Sequence, residues 1–175
     1  MLFNEIYYRI EKNLLNQKDG KEILRQAVRA VIMNGNKILM ANLEKTGEFK
    51  FPGGGVKENE TLNEALKREV LEEVGFKVIK IIEKIGIITE FDKAKEGKNY
   101  FFKMTSVYFL VEIENVQLKQ NLEKDEEELM YKPCWIDIKE ALVTNKNLIV
   151  KNMEKTPGIY RETMALEKII EKYKL

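Results

Sequence analysis

Three glutamates, Glu69, Glu72 and Glu73, crowd into a short stretch that follows a run of three glycines, Gly53, Gly54 and Gly55. Hard divalent cations such as Mg²⁺ take oxygen ligands and keep several waters, so carboxylates at this density suit them. Such ions offset the charge of a diphosphate and polarise its phosphorus–oxygen bonds. Consecutive glycines remove side chains where the main chain has to approach a ligand or adopt positive φ. Together the two features point to a cradle for a metal ion and a phosphate chain.

The glutamates need a helix to bring them together, and the residues around them specify one. Thr61 followed by Glu64 has the form of a capping box. Leu62, Leu66, Val70 and Val74 recur every four residues as one apolar stripe, and Gly75 stands where a left-handed cap ends a helix. At 100° per residue, Glu69 and Glu73 fall on the edge of that stripe and not opposite it. Their repulsion costs roughly 0.2–0.5 kcal/mol per like-charge pair on an exposed helix, and more when desolvated, so a cation is called for. The competing reading is a wet acidic face steadied by a Glu64–Arg68 pair.

What favours the first reading is the whole pattern. Gly54, Glu60 and the run Arg68-Glu69-Val70-Leu71-Glu72-Glu73-Val74-Gly75-Phe76 resemble the Nudix box, G-x5-E-x7-R-E-U-x-E-E-x-G-U with U a bulky apolar residue, at every fixed position. The resemblance implies an α/β fold, an α/β/α sandwich around a mixed β-sheet. It implies hydrolysis, with Mg²⁺ or Mn²⁺, of a nucleoside diphosphate linked to another group. Glu69, Glu72, Glu73 and the Gly53 carbonyl would hold the metal. Arg68 would orient the glutamates, although a plain salt bridge to Glu64 accounts for it equally well. Glu60 would serve the metals or the water, or only favour the helix N-terminus. Family members often add a ligand or general base from an acidic loop, which here is Asp125–Glu128, with Glu127 or Glu128 as the nominees; a merely solvated acidic loop is the alternative. Gly54, Gly55 and Arg29 complete the candidate substrate contacts.

The proline and tyrosine that accompany ADP-ribose and dinucleoside polyphosphate substrates in the family have no counterpart, since no proline lies between Pro52 and Pro133 and the nearest tyrosine, Tyr100, is well beyond the family's spacing. The expected substrate is therefore a nucleoside triphosphate, an oxidised one included. A nucleotide sugar or similar diphosphate is the alternative, and a non-catalytic nucleotide sensor is the alternative of another class.

Composition bounds the rest. A chain of 175 residues with 44% apolar content can bury one real core. With 30 basic against 29 acidic residues, no global field calls for a nucleic-acid polymer or an anionic membrane. The absence of histidine excludes Ser–His and Cys–His catalysis. Cys134, the only cysteine, reads as a small buried thiol. No secretory signal or long apolar run is visible, so the expected compartment is the cytoplasm. A homodimer is compatible with the sequence, which shows no decisive interface.

Residues 1–22 form an N-terminal extension expected to pack on the sheet or on a partner, ahead of a domain over 23–175. Ile23–Met33 reads as a strand whose hairpin partner, across Asn34-Gly35, is Asn36–Leu43. Arg29 on that strand serves either a substrate contact or a rim salt bridge. Lys77–Glu90 reads as a strand with Val78, Ile79, Ile81, Ile82, Ile85, Ile87 and Ile88 in the core, and Asn99–Ile113 as a further strand. Lys93, Lys95 and Lys98 in the turn between them either reach phosphates or are merely solvated, and Tyr100, Phe101 and Phe102 either offer a face to a base or, for at least two of them, pack into the core. Asp137–Thr144 reads as a short helix and Tyr160–Tyr173 as an amphipathic C-terminal one.

Overall fold

The computed structural model describes residues 1–8, 21–93, 100–151, 156 and 158–175. Among the described residues, eight strands and four helices follow in the order β1 (Phe3–Tyr8), β2 (Lys21–Val31), β3 (Met33–Asn34), β4 (Lys37–Leu43), β5 (Glu48–Lys50), α1 (Leu62–Val74), β6 (Val78–Lys93), β7 (Tyr100–Ile113), α2 (Lys124–Leu129), β8 (Tyr131–Asp137), α3 (Ile138–Val150) and α4 (Ile159–Tyr173). One sheet runs β1-β6-β7-β2, with β1 parallel to β6, β2 parallel to β7, and β6 antiparallel to β7. In the other, β4 is flanked by β3 and β5 on one edge and by β8 on the other, all antiparallel.

Strand alternation divides the core into two layers. Val28, Ala30, Ile32, Leu39, Val107, Phe109 and Val111 pack against Ala65, Leu66, Val70 and Val74 of α1. Their sequence neighbours Val31, Ile38, Met40 and Tyr108 face the other way, onto Ala141 of α3 and Leu166 and Ile169 of α4. The mixed sheet between helical layers is the expected α/β/α arrangement.

Several details depart from the sequence reading. The run after Ile23 pairs chiefly with β7; only Met33 and Asn34 form the hairpin with β4, because the chain passes from one sheet to the other at Ile32. Gly35 supplies the positive φ of 62° that the two-residue turn needs. Ile79 and Ile82 are 60% and 43% exposed, contrary to their assignment to the core. The β6–β7 register shifts between Val78 and Lys80 and again between Ile81 and Glu83, and each bulge moves the next residue to the opposite face. The short helix expected over Asp137–Thr144 continues to Val150, with the Asp137 side chain accepting from the Lys139 and Glu140 amides at its start. Within the N-terminal stretch, β1 extends the sheet and buries Phe3 beside Tyr108. Lys95 and Lys98 lie outside the described residues, as do the side chains of Lys93, Tyr100 and Phe101; Phe102 lies beneath the Arg25 guanidinium.

Candidate active site

The glycine loop is stitched to the edge of β2. Val28 N–H donates to the Gly54 carbonyl (3.0 Å), Ala30 N–H to Pro52 (2.7 Å), and Val56 N–H to Gln26 (2.9 Å). Gly53 has φ of 141°, and a side chain there would run into the Val28 carbonyl and stand 3.0 Å from the Arg29 Cα. Glycine is therefore a steric requirement at Gly53. From the other side the Gly53 amide donates to the Glu73 carboxylate at 2.6 Å, joining the loop to α1.

α1 carries the signals read from its sequence. Thr61 and Glu64 close a capping box, and Gly75 ends the helix at φ 76° with its amide on the Leu71 carbonyl. Glu69 and Glu73 are 6% and 3% exposed, on the margin of the apolar stripe as the helical phase required. Arg68 does not pair with Glu64, whose carboxylate is taken by Thr61. Its guanidinium instead grips both oxygens of Glu60 (2.7 and 2.8 Å) and reaches Glu69 (2.6 Å), Glu72 (3.0 Å) and the Gly55 carbonyl (3.1 Å). That grip holds the Glu60 carboxyl at about 2, below its ordinary value. Glu60 thus acts on the site through Arg68, and Glu72 turns to Arg68 and away from the cavity floor.

Glu69 and Glu73 are met by a carboxylate from α2. One oxygen each from Glu69, Glu73 and Glu126 lie within 4.8 Å of one another. Glu127 and Glu128, the nominees from sequence, are exposed, because one and two steps of 100° carry them round a helix whose inward position is Glu126. The preceding segment fixes that phase: Gln120 Nε2 bridges the carbonyls of Glu73 (2.5 Å) and Tyr131 (3.2 Å), and Asn121 N–H donates to the Glu72 main-chain carbonyl (2.9 Å).

Around this cluster opens a cavity of about 520 Å³ lined by Arg29, Lys50, Gly53, Gly54, Gly55 and Tyr131 among others. Arg29 is 5% exposed, so it is not on a rim; its Nε stands 4.0 Å from Glu162 and makes no hydrogen bond. Lys50 donates to the Tyr131 hydroxyl and lies over that ring, and burial lowers its pKa against the opposing pull of Glu73. Behind them α4 contributes a buried network: Arg161 bonds Glu90 and Glu162, while Glu162 accepts from the Phe51 amide at 3.2 Å. Lys50, Tyr131, Arg161 and Glu162 escaped the sequence reading. Lys50 alone had a signal, its place just before Phe51-Pro52-Gly53.

The donor set fits a hard divalent cation. It consists of carboxylate oxygens from two elements, and burial pushes the Glu69 and Glu73 carboxyls upward despite Arg68 beside the first and Lys50 and Arg29 beside the second. Acids that resist ionisation in the folded protein are stabilised as carboxylates when a cation joins them. A Cβ at Gly54 would stand 2.6 Å from a Glu69 oxygen, so any side chain there displaces that carboxylate.

The profile of the NUDIX domain family matches residues 23–156, three quarters of the chain and every residue that lines this cavity. The chain belongs to the Nudix family. Among Nudix relatives, the 8-oxo-dGTP diphosphatase of Buchnera aphidicola subsp. Schizaphis graminum is 35% identical over 88 residues, 48% of this chain and 59% of that protein. The RNA pyrophosphohydrolase of Helicobacter pylori strain P12 is 36% identical over 100 residues, 52% of this chain and 64% of that one. The matches thus span less than two thirds of either relative. The MutT NUDIX hydrolase structure from Burkholderia pseudomallei superposes with a TM-score of 0.57 at 17% identity, covering 84% of this chain and 98% of that one. At that identity the likeness is one of fold, a MutT-like α/β architecture.

Proposed function

We propose that this Nudix protein is a divalent-metal-dependent pyrophosphohydrolase acting on a nucleoside triphosphate. The observation that carries the reading is the convergence of Glu69, Glu73 and Glu126 within 4.8 Å, in a cavity that also presents Arg29 and Lys50. Acids alone would suit a structural ion; acids facing two cations suit a metal and a phosphate chain together. The relatives named for 8-oxo-dGTP and RNA substrates support a triphosphate in place of a nucleotide sugar.

Glu69, Glu73 and Glu126 would hold Mg²⁺ or Mn²⁺, and Glu72 would join them by a rotamer change away from Arg68. When bound, such ions offset phosphate charge and polarise the scissile bond. Arg29 and Lys50 bind phosphate oxygens from the opposite wall, where exclusion of water strengthens each contact. Gly53, Gly54 and Gly55 let the chain of phosphates approach the main chain, and Arg68 keeps Glu69 aimed at the cavity. The substrate belongs to the cytoplasmic nucleotide pool on this reading. A sensor without catalysis is disfavoured by the retention of every box carboxylate.

The test is release of inorganic phosphate and pyrophosphate from a panel of nucleoside triphosphates, 8-oxo-dGTP, a nucleotide sugar and a 5′-triphosphorylated oligoribonucleotide, with and without Mg²⁺. Triphosphates are expected to turn over only with the metal. Glu73→Gln is expected to lower the rate on the order of 10²-fold or more, and wild-type turnover by that variant would overturn the assignment.

A further inference from the structure

β2 is an edge strand, and the glycine loop covers only part of its edge. The bonds from Val28 and Ala30 to the loop, and from Val56 to Gln26, show that the even-numbered residues turn their main-chain groups outward. Main-chain groups of successive strand residues point to opposite edges, so the odd-numbered residues serve β7 and Leu24 shares the outward edge. The loop's pairing ends at the bond from Val56 to the Gln26 carbonyl. Beyond it, among the described residues, the Gln26 N–H and the Leu24 C=O have no hydrogen-bond partner. Both residues line the cavity that holds the three carboxylates.

An unpaired acceptor followed two residues later by an unpaired donor, on one edge of an extended strand, is a template for any ligand that offers the complement. The pairing edge of a nucleobase is such a ligand, with a ring or exocyclic N–H beside a ring nitrogen or carbonyl oxygen. The spacing agrees. Gln26 precedes Arg29 by three residues, roughly 10 Å along a strand, which is the reach of a nucleoside between a phosphate at Arg29 and the edge of its base.

We propose that the Leu24–Gln26 edge of β2 binds the substrate's base: the Leu24 carbonyl accepts from a base N–H, and the Gln26 N–H donates to the adjacent base acceptor. The inference rests on the pyrophosphohydrolase reading and narrows it to a substrate class, nucleotides whose pairing edge is free. Because each base carries a donor next to an acceptor, the contact tolerates purines and pyrimidines but refuses a base alkylated on that edge.

The test compares GTP with N1-methyl-GTP, and both with inorganic tripolyphosphate, on wild type and on Gln26→Pro. Proline removes the free donor, keeps the carbonyl that Val56 uses, and is tolerated on an edge strand. For wild type, the KM of N1-methyl-GTP is expected to exceed that of GTP roughly tenfold with kcat little changed. Gln26→Pro is expected to raise the KM for GTP by a similar factor and to leave that for tripolyphosphate where it was. Equal KM values for GTP and its N1-methyl form on wild type would overturn the proposal, and that comparison stands even where the proline variant fails to fold. If wild type hydrolyses none of the three, the pyrophosphohydrolase reading fails. Equilibrium binding of GTP against N1-methyl-GTP then decides the base contact by itself, with equal affinity counting against it.

Discussion

Replacing Gly53 by alanine tests whether the glycine loop is held where the site needs it. The new Cβ would collide with the Val28 carbonyl and stand 2.9 Å from its carbon, and the residue would have to keep a φ of 141°. Held in place, the backbone strain costs about 1–3 kcal/mol and the overlap about 1–3 kcal/mol more. β2 cannot retreat, since its other edge is paired with β7 along its full length. The alternative is for the loop to peel away, which breaks the bonds Val28–Gly54, Ala30–Pro52 and Gly53–Glu73. At about 1 kcal/mol each, that route costs about 3 kcal/mol, so both routes predict a similar loss. For a domain of this size, where 1 kcal/mol moves Tm by about 2–4 °C, the melting point should fall by about 5–15 °C. Gly55→Ala is the control, because no heavy atom stands within 4 Å of its added Cβ. Thermal unfolding followed by far-UV circular dichroism reads the difference, and pyrophosphate release reports whether Glu73 still meets the loop. A Gly53→Ala protein that melts with Gly55→Ala and keeps wild-type turnover would refute the steric argument.

Four further outcomes are expected. Glu126→Gln should cut metal-dependent turnover by at least tenfold, while Glu127→Gln and Glu128→Gln stay within about twofold, as steady-state rates at saturating Mg²⁺ will show. Burial raises the Glu69 and Glu73 carboxyls in the metal-free fold. Their contribution to stability therefore declines as pH climbs above the ordinary glutamate value, and the gain in Tm on adding Mg²⁺ should grow from pH 5 to pH 8; scanning calorimetry with and without the ion isolates this term. Arg161→Met strands Glu90 and Glu162, both nearly inaccessible, and should cost roughly 3–5 kcal/mol in urea unfolding. Lys146→Met breaks a half-exposed pair with Glu167 and should cost no more than about 1 kcal/mol.

The first turn of α1, its glycine stop and the faces of Glu69 and Glu73 were legible in the sequence, because helical phase and capping depend on residues a few positions apart. The same holds for the turn at Gly35, though not for the pairing of the run before it, and for the C-terminal helix. The bulges of β6 were not legible. Seven apolar residues in that stretch suit burial on either face, and only pairing with β7 decides that Ile79 and Ile82 turn outward.

The candidate site divides in the same way. By itself the sequence determined the box, and with it an acidic helix beside a bare loop, since every residue of that unit lies within two dozen positions. Only the tertiary structure decided that Glu126 is the acid that closes the cluster, that Lys50 and Tyr131 line the same cavity, and that Glu162 stands behind Arg29. Those choices depend on the phase of a six-residue helix and on contacts between residues up to 133 positions apart, from Arg29 to Glu162. No local periodicity encodes such contacts, because they arise when the two layers of the sheet bring distant strands and helices to one cavity.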